Sequence, residues 1–410
     1  MTRALPAFSG YGIELEFMIV HHETLAVLPI ADEVLYKLSG GHTSEVRKGA
    51  LGWSNELVLH LIELKNVDPH PEIESLAIPF QDEIHQVGHL LQSMDAMLMP
   101  AAMHPLMNPR VETRLWPHDN AEIYRAYDRI FDCRRHGWAN LQSMHLNLPF
   151  ADDDEFARLH AAVRLLLPIL PALAASSPIA EGSNTGFLDF RMETYCTHQI
   201  KVPSTIGRVI PPTVTTQAAY EAEILAPMYR EIATFGEEGA LQHEWLNVRG
   251  AVPRFDRNAI EIRVIDTQEC TQANLAIAAA TVHVARRLYN EEHAPLTMQQ
   301  AISTDDLVKI MRNCIRHAEQ AVIENTGYLD VMGFPAQRCE ARELWHHLIE
   351  PLPNEQSEIW QKWLKVILEQ GTLARRILRV LGKDYNAAQL HAVYRELCDC
   401  LNEGRMFAAG

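Results

Sequence analysis

Glutamates recur inside the most apolar strand-like segments of this 410-residue chain, and few folds can bury such an arrangement. Ala259-Ile-Glu-Ile-Arg-Val-Ile265 alternates apolar and charged residues with period two. That sets Glu261 and Arg263 on one face of a strand, and Ile260, Ile262 and Val264 on the other. Gly12-Ile-Glu-Leu-Glu-Phe17 repeats the device with Glu14 and Glu16, and the apolar run from Phe17 to Val20 marks a central, buried strand. Between Asn55 and Lys65, Glu56 and Glu63 interrupt a third apolar run. Their odd spacing puts them on opposite faces of a regular strand, so they share a site only through a bulge or a strand entrance near Glu56. Carboxylates crowded on one face repel one another and resist desolvation unless cations neutralise them. The economical arrangement is a sheet whose concave face holds divalent metal ions.

Ser143-Met-His-Leu-Asn-Leu-Pro149 alternates again and aligns His145 with Asn147. Imidazole and carboxylate share Mg²⁺ and Mn²⁺ sites, which makes His145 a candidate ligand beside the strand carboxylates. His60 reads as packed or exposed and not as a ligand, and His346-His-Leu-Ile-Glu350 as the surface of a helix. Arg191 follows a run of small and turn-forming residues beginning at Ser176, which suits a loop that approaches a ligand. With Arg249 and Arg263 it forms a candidate cationic set, since guanidinium groups dock carboxylates and phosphates bidentately and keep their charge when buried. No glycine-rich phosphate cradle, dinucleotide fingerprint, H-E-x-x-H or G-x-S-x-G is present. A nucleotide would have to be held through metals and arginines.

A formal net charge of −17 argues against nucleic acid and anionic membrane as partners, because no basic excess exists to meet phosphates. Seven scattered cysteines do not make a disulfide framework and point to a reducing, cytoplasmic compartment. Cys398-Asp-Cys400 is too tight for an ordinary zinc pair, and no signal peptide is expected at the amino terminus. Leu165 to Ala180 is uncharged but broken by three prolines, and reads as a buried helix followed by a loop, too short to span a membrane.

Strands are expected over Tyr11–His21, Glu56–Asn66, Ser143–Leu148, Gly186–Arg191 and Ala259–Asp266, with a helix from Pro71 to about Met99. Unequal helical insertions between short strands predict an α+β fold with a mixed or antiparallel sheet. Thr271–Tyr289 is alanine-rich and helical, and nothing beyond about residue 290 reads as a strand. Leu344–Leu348, Ile359–Leu368 and Leu373–Leu381 have helical periodicity. The expected organisation is an α+β catalytic core over residues 1–290, closed by a helical segment over 291–410.

Four stretches together resemble the glutamate–cysteine ligase superfamily, and most closely its type-two, carboxylate-amine ligase branch. They are Gly12-Ile-Glu-Leu-Glu-Phe17, Glu56 through Glu63, Ala175-Ser-Ser-Pro178 running to Arg191, and Glu261-Ile-Arg-Val-Ile-Asp-Thr267. The resemblance implies a fold like the glutamine synthetase catalytic domain, a curved antiparallel sheet forming a funnel with helices outside. It implies ATP-dependent activation of the γ-carboxylate of glutamate, or a similar acid, as an acyl phosphate that an amine displaces. Glu14, Glu16, Glu56, Glu63, His145 and Glu261 would be ligands of Mg²⁺ or Mn²⁺, with Glu261 bridging metals. Arg263 would grip the nucleotide's transferring phosphoryl group, Arg191 and Arg249 would anchor the acid or the phosphates, and Asn147 would touch a polar substrate. Substrates would be small amino acids and amines, and a homo-oligomer is the common state on this fold. The same residues leave three rivals open: a guanidino-type phosphotransferase, a nucleotide-independent dinuclear metallohydrolase and a binding protein without catalysis.

Overall fold

The structure, a computed structural model, describes residues 4–236, 241–350 and 357–408. Its centre is an antiparallel eight-stranded sheet: β1 (Gly12–His21), β2 (Glu45–Lys48), β3 (Leu51–Asn55), β4 (Leu61–Asn66), β5 (Ala96–Met99), β6 (Ser143–Pro149), β7 (Ala251–Arg254) and β8 (Ala259–Asp266). Seven run in the order β2-β3-β4-β1-β6-β8-β7, and β5 pairs with the far end of β1. Period-two alternation explains the layering. Ile13, Leu15, Phe17, Ile62, Leu64, Leu146, Ile260 and Ile262 are buried in one core on the outer face. The charged residues between them share the inner face.

Helices cover the outer face and the ends: α1 (Ala77–Gln92), α2 (Asp153–Leu166), α3 (Phe190–Tyr195), α4 (Thr271–Tyr289), α5 (Leu373–Leu381) and α6 (Ala387–Glu403), among others. Asp152 caps α2 by accepting from the Glu155 amide, and three acidic residues in its first turn complement the helix dipole. The small side chains of α4 are nearly all buried and let it lie close against α2. The C-terminal helices are woven into the same body. Leu373 and Ile377 of α5 and Val393, Tyr394 and Leu397 of α6 join Met18, Val20, Leu61 and Met99 in a second apolar cluster. Fully buried Arg376 pairs with Glu269 at 2.5 Å and donates to the Phe407 carbonyl at 2.6 Å. No described helix is long and apolar enough to cross a membrane.

Four sequence expectations differ from the structure. The helix begun near Pro71 ends at Gln92, and Asp95, at φ 53°, turns the chain so that Ala96–Met99 forms β5 on β1. Tertiary pairing overrides helical propensity in that apolar quartet. Glu56–Asn66 is not one strand: β3 ends at Asn55, a turn follows, and β4 starts at Leu61. Gly186–Arg191 is not a strand, because the Asp189 carboxylate accepts from the Met192 amide and starts α3. Beyond residue 290, Val322–Ile323 and Cys339–Glu340 form a two-residue ladder.

Candidate active site

Register across the sheet assembles the inner face in rows. Glu14 on β1 lies between Lys65 on β4 and His145 on β6, and Glu16 lies opposite Glu63 on β4. Glu63 lies in turn opposite Ser54 on β3, and Glu261 on β8 opposite Asn147 on β6. Glu56 enters from the turn after β3, the strand entrance that its spacing from Glu63 requires. A cavity of about 340 Å³ opens on this face. Of the predicted residues, all but Asn147 and Arg249 line it.

Two groups of side chains bring their ligand atoms within 4.8 Å of one another: Glu14, Glu63 and His145, and Glu16, Glu56 and Glu63. The donors are carboxylate oxygens and one imidazole nitrogen, the set that suits Mg²⁺ or Mn²⁺. Glu14 is internally satisfied, accepting from Asn147 Nδ2 at 2.9 Å and facing His145 Nδ1 at 3.2 Å. Glu16 accepts from the Ser143 amide at 2.6 Å and its hydroxyl at 2.9 Å. Glu63 accepts from Ser54 Oγ at 2.8 Å and Lys65 Nζ at 3.1 Å. The Glu56 carboxylate accepts no hydrogen bond and makes no ion pair among the described residues. An unpartnered carboxylate beside two others is the chemistry of a site that takes up a cation, so the residues present fit a divalent metal.

The protonation equilibria tell the same story. Burial, then Glu63 and Glu16, push the Glu56 carboxyl well above its ordinary range. Burial and Glu14 lift Glu63 to about 7. Glu14 is held low, because the hydrogen bond and charge of His145 outweigh its burial. Burial would lower His145, but its bond to Glu14 and the charges of Glu16 and Glu261 raise it to about 9.

The opposite wall is cationic. Arg263 donates from Nε to Glu261, and Arg254 Nη1 reaches the other Glu261 oxygen at 3.3 Å. Glu261 therefore belongs to neither ligand group and stands 3.8 Å from His145. Arg191, at the start of α3, donates from Nε to buried Asp266 at 2.5 Å and from both terminal nitrogens to the Arg263 carbonyl at 3.4 Å. Asp266 is fixed by the Ser176 amide at 2.8 Å and Ser177 Oγ at 3.0 Å. Asn147 lines a neighbouring cavity of about 420 Å³, which shares Glu14, Lys65 and Arg257 with the first. Arg249 points away from both cavities, to Asn247 Oδ1 at 3.0 Å and the Thr205 carbonyl at 3.4 Å. Its neighbour Val248 faces the site instead.

Sequence reasoning missed Lys65, Arg254, Arg257 and Asp266. Lys65 carried a signal, since it stands two residues from Glu63 and must share its face. The two arginines flank the turn between β7 and β8, which alternation does not mark.

The model of glutamate–cysteine ligase family 2 matches residues 11–396. The chain belongs to this family. Within the family's reach, a protein of Archaeoglobus fulgidus called "Uncharacterized protein" is 30% identical over 397 residues, covering 97% of this chain and 99% of that one. A "Putative glutamate–cysteine ligase 2-1" of Nocardia farcinica is 24% identical over 402 residues, covering 96% and 93%. The fold is similar to that of glutamate–cysteine ligase from Francisella tularensis, solved in complex with AMP, with a TM-score of 0.61 at 13% identity over 98% of this chain and 89% of that one. A bifunctional glutathione synthetase from Pasteurella multocida gives 0.56 at 14% identity, over 97% and 53%. Membership in glutamate–cysteine ligase family 2 makes the protein a carboxylate-amine ligase by class.

Proposed function

We propose that the protein is an ATP-dependent ligase that joins the γ-carboxylate of glutamate, or of a similar acid, to an amine through an acyl phosphate. The observation that carries this reading is the two-sided cavity, with carboxylates able to hold divalent metal on one wall and arginines on the other. The Francisella ligase solved with AMP supports nucleotide use. Amide formation from a carboxylate is uphill in water, so the acid must first become an acylating agent. A carboxylate oxygen attacks the γ-phosphorus of ATP and ADP leaves. The amine nitrogen then attacks the acyl carbon, loses a proton, and inorganic phosphate departs.

Glu14, Glu16, Glu56, Glu63 and His145 would hold Mg²⁺, and Glu261 would join them through its other oxygen when Arg254 turns to the phosphates. Bound Mg²⁺ supplies charge neutralisation to phosphate oxygens. Arg263, anchored through Nε by Glu261, has terminal nitrogens left for the equatorial oxygens of the transferring group. Arg254 and Arg257 add positive charge on the same wall. Arg191 is the anchor for the acid substrate; Arg249 has no part, because it lines neither cavity and its Nη1 turns to Thr205 and Asn247. Asn147 would touch a polar substrate group from the neighbouring cavity. The setting is a cytoplasmic homo-oligomer working on small molecules.

The test is phosphate release from Mg²⁺-ATP with glutamate, with and without a panel of amines including cysteine and methylamine. Amine-dependent release with a new γ-amide in the mass spectrum is the expected result. Phosphate release without any amide, or none with every acid offered, would overturn the reading.

A further inference from the structure

The two ligand groups share Glu63 but differ in what already neutralises them. Around Glu16, Glu56 and Glu63 the Glu56 carboxylate has no partner among the described residues. Around Glu14, Glu63 and His145 an ammonium is already in place. Lys65 sits opposite Glu14 across β1 and β4, and its Nζ lies 3.1 Å from Glu63 Oε1. Its side chain is three-quarters buried, which strengthens that pairing over a surface ion pair. A second carboxylate waits 3.8 Å away: Glu45 Oε2, at the sheet edge on β2. Lys65 also stands in the wall common to both cavities.

We propose that Lys65 is a built-in counter-cation of the Glu14–Glu63–His145 group. The protein then takes up one divalent ion on Glu16–Glu56–Glu63 without nucleotide, and admits a second only when Lys65 leaves Glu63 for Glu45. The physical ground is that one carboxylate oxygen cannot serve an ammonium and a divalent ion at the same contact distance, because the two cations repel. Glu63 Oε1 already carries Ser54 and Lys65, so an ion on that side must displace the lysine. On the other side His145 Nε2 stands 3.7 Å from Glu16 Oε1, beyond direct contact, and no lysine or arginine pairs with Glu16 or Glu56 among the described residues. This inference rests on the face being a divalent-cation site, which is part of the proposed function, but not on the ligation reaction.

The experiment is Mn²⁺ titration of the nucleotide-free protein, following the free-ion signal by electron paramagnetic resonance, for wild type, Lys65→Met, Lys65→Arg and Glu56→Gln. Wild type should bind one ion tightly and a second weakly. Lys65→Met should tighten the second by roughly ten- to a hundredfold, the order set by removing a like charge from about 4 Å. Lys65→Arg should keep the wild-type pattern, and Glu56→Gln should lose the tight ion. Thermal melting guards against a misfolded variant: Lys65→Met should melt lower than wild type without metal, and Mn²⁺ should raise it by more than it raises wild type. Two equally tight ions in wild type, or an unchanged second ion in Lys65→Met, would overturn the role of Lys65. Neither result bears on whether an amide forms, so failure of the ligase reading is seen separately in the phosphate-release assay.

Discussion

The two walls of the cavity handle buried charge in opposite ways. On the carboxylate wall, Glu56 has no partner among the described residues, and its carboxyl, like that of Glu63, is pushed up by burial and by neighbouring glutamates. On the arginine wall every anion is met: Glu261 by Arg263 and Arg254, and Asp266 by Arg191, Ser176 and Ser177. A buried ion pair with its remaining oxygens hydrogen-bonded is a finished structure. A cluster of like charges is an unfinished one, and it stores the affinity that a cation releases on binding. One cavity thus combines a rigid half with a half that waits for its ligand.

That contrast can be broken most sharply at Asp266. Asp266→Asn leaves Arg191 buried without its anion, so unfolding stability should fall by roughly 3–5 kcal/mol, with or without Mg²⁺, in a urea titration. A loss that Mg²⁺ repaired would place Asp266 on the wrong wall. Next in size is Arg263→Lys, which keeps the charge but loses the fork held by Glu261. Turnover should drop by about a hundred- to a thousandfold while ATP affinity stays close to wild type; steady-state kinetics beside direct nucleotide binding checks this.

Glu56→Gln should behave in the opposite sense to Asp266→Asn. Removing one carboxylate relieves repulsion, so the metal-free protein should melt slightly higher, and the Mg²⁺-induced rise in melting temperature should shrink. A metal-free variant that melts lower would show Glu56 to be a structural partner. The smallest effect is expected at Asp189. Burial and Asp266 push its carboxyl well above the ordinary range, so the folded state holds a proton there that the unfolded chain gives up. Such a group contributes stability at low pH and loses it as pH rises through the folded value. Asparagine does not titrate and can still accept from the Met192 amide, so Asp189→Asn should match wild type below about pH 4 and be more stable at pH 9. Equal melting curves at both values would remove this assignment.

Much of the fold and several site positions were legible because they rest on parity. Glu14, Glu16, His145 and Glu261 fall on regular strands, where alternate residues must share a face. Glu56 was legible as an exception, since an odd spacing demanded a break before Glu63. What escaped lies where parity fails. Val248 and Arg249 precede β7 in a loop packed on Gly207, whose φ of 55° favours glycine and whose backbone lies against the Arg249 guanidinium. Which of the two faces the cavity depends on that packing. Arg191 stands on a short helix set by the Asp189 cap, not at the end of the expected strand Gly186–Arg191. β5 is an apolar quartet that either secondary structure could accept, and only the exposed end of β1 decides it.

The interlacing of the last residues with the first has a consequence for how the chain folds. Arg395 reaches the carbonyl of His22 across 373 positions, and Gln81 in α1 donates to the Leu401 carbonyl across 320. The Arg376–Glu269 pair is covered by Phe407, whose amide and carbonyl meet both partners. A folding chain in which α5, α6 and Phe407 have not yet docked therefore holds β1, β5 and α1 with one side bare, and two opposite charges without their cover. Docking of these helices is a non-local step, slower than the local helices that precede it, and until it happens an apolar flank is open to meeting another.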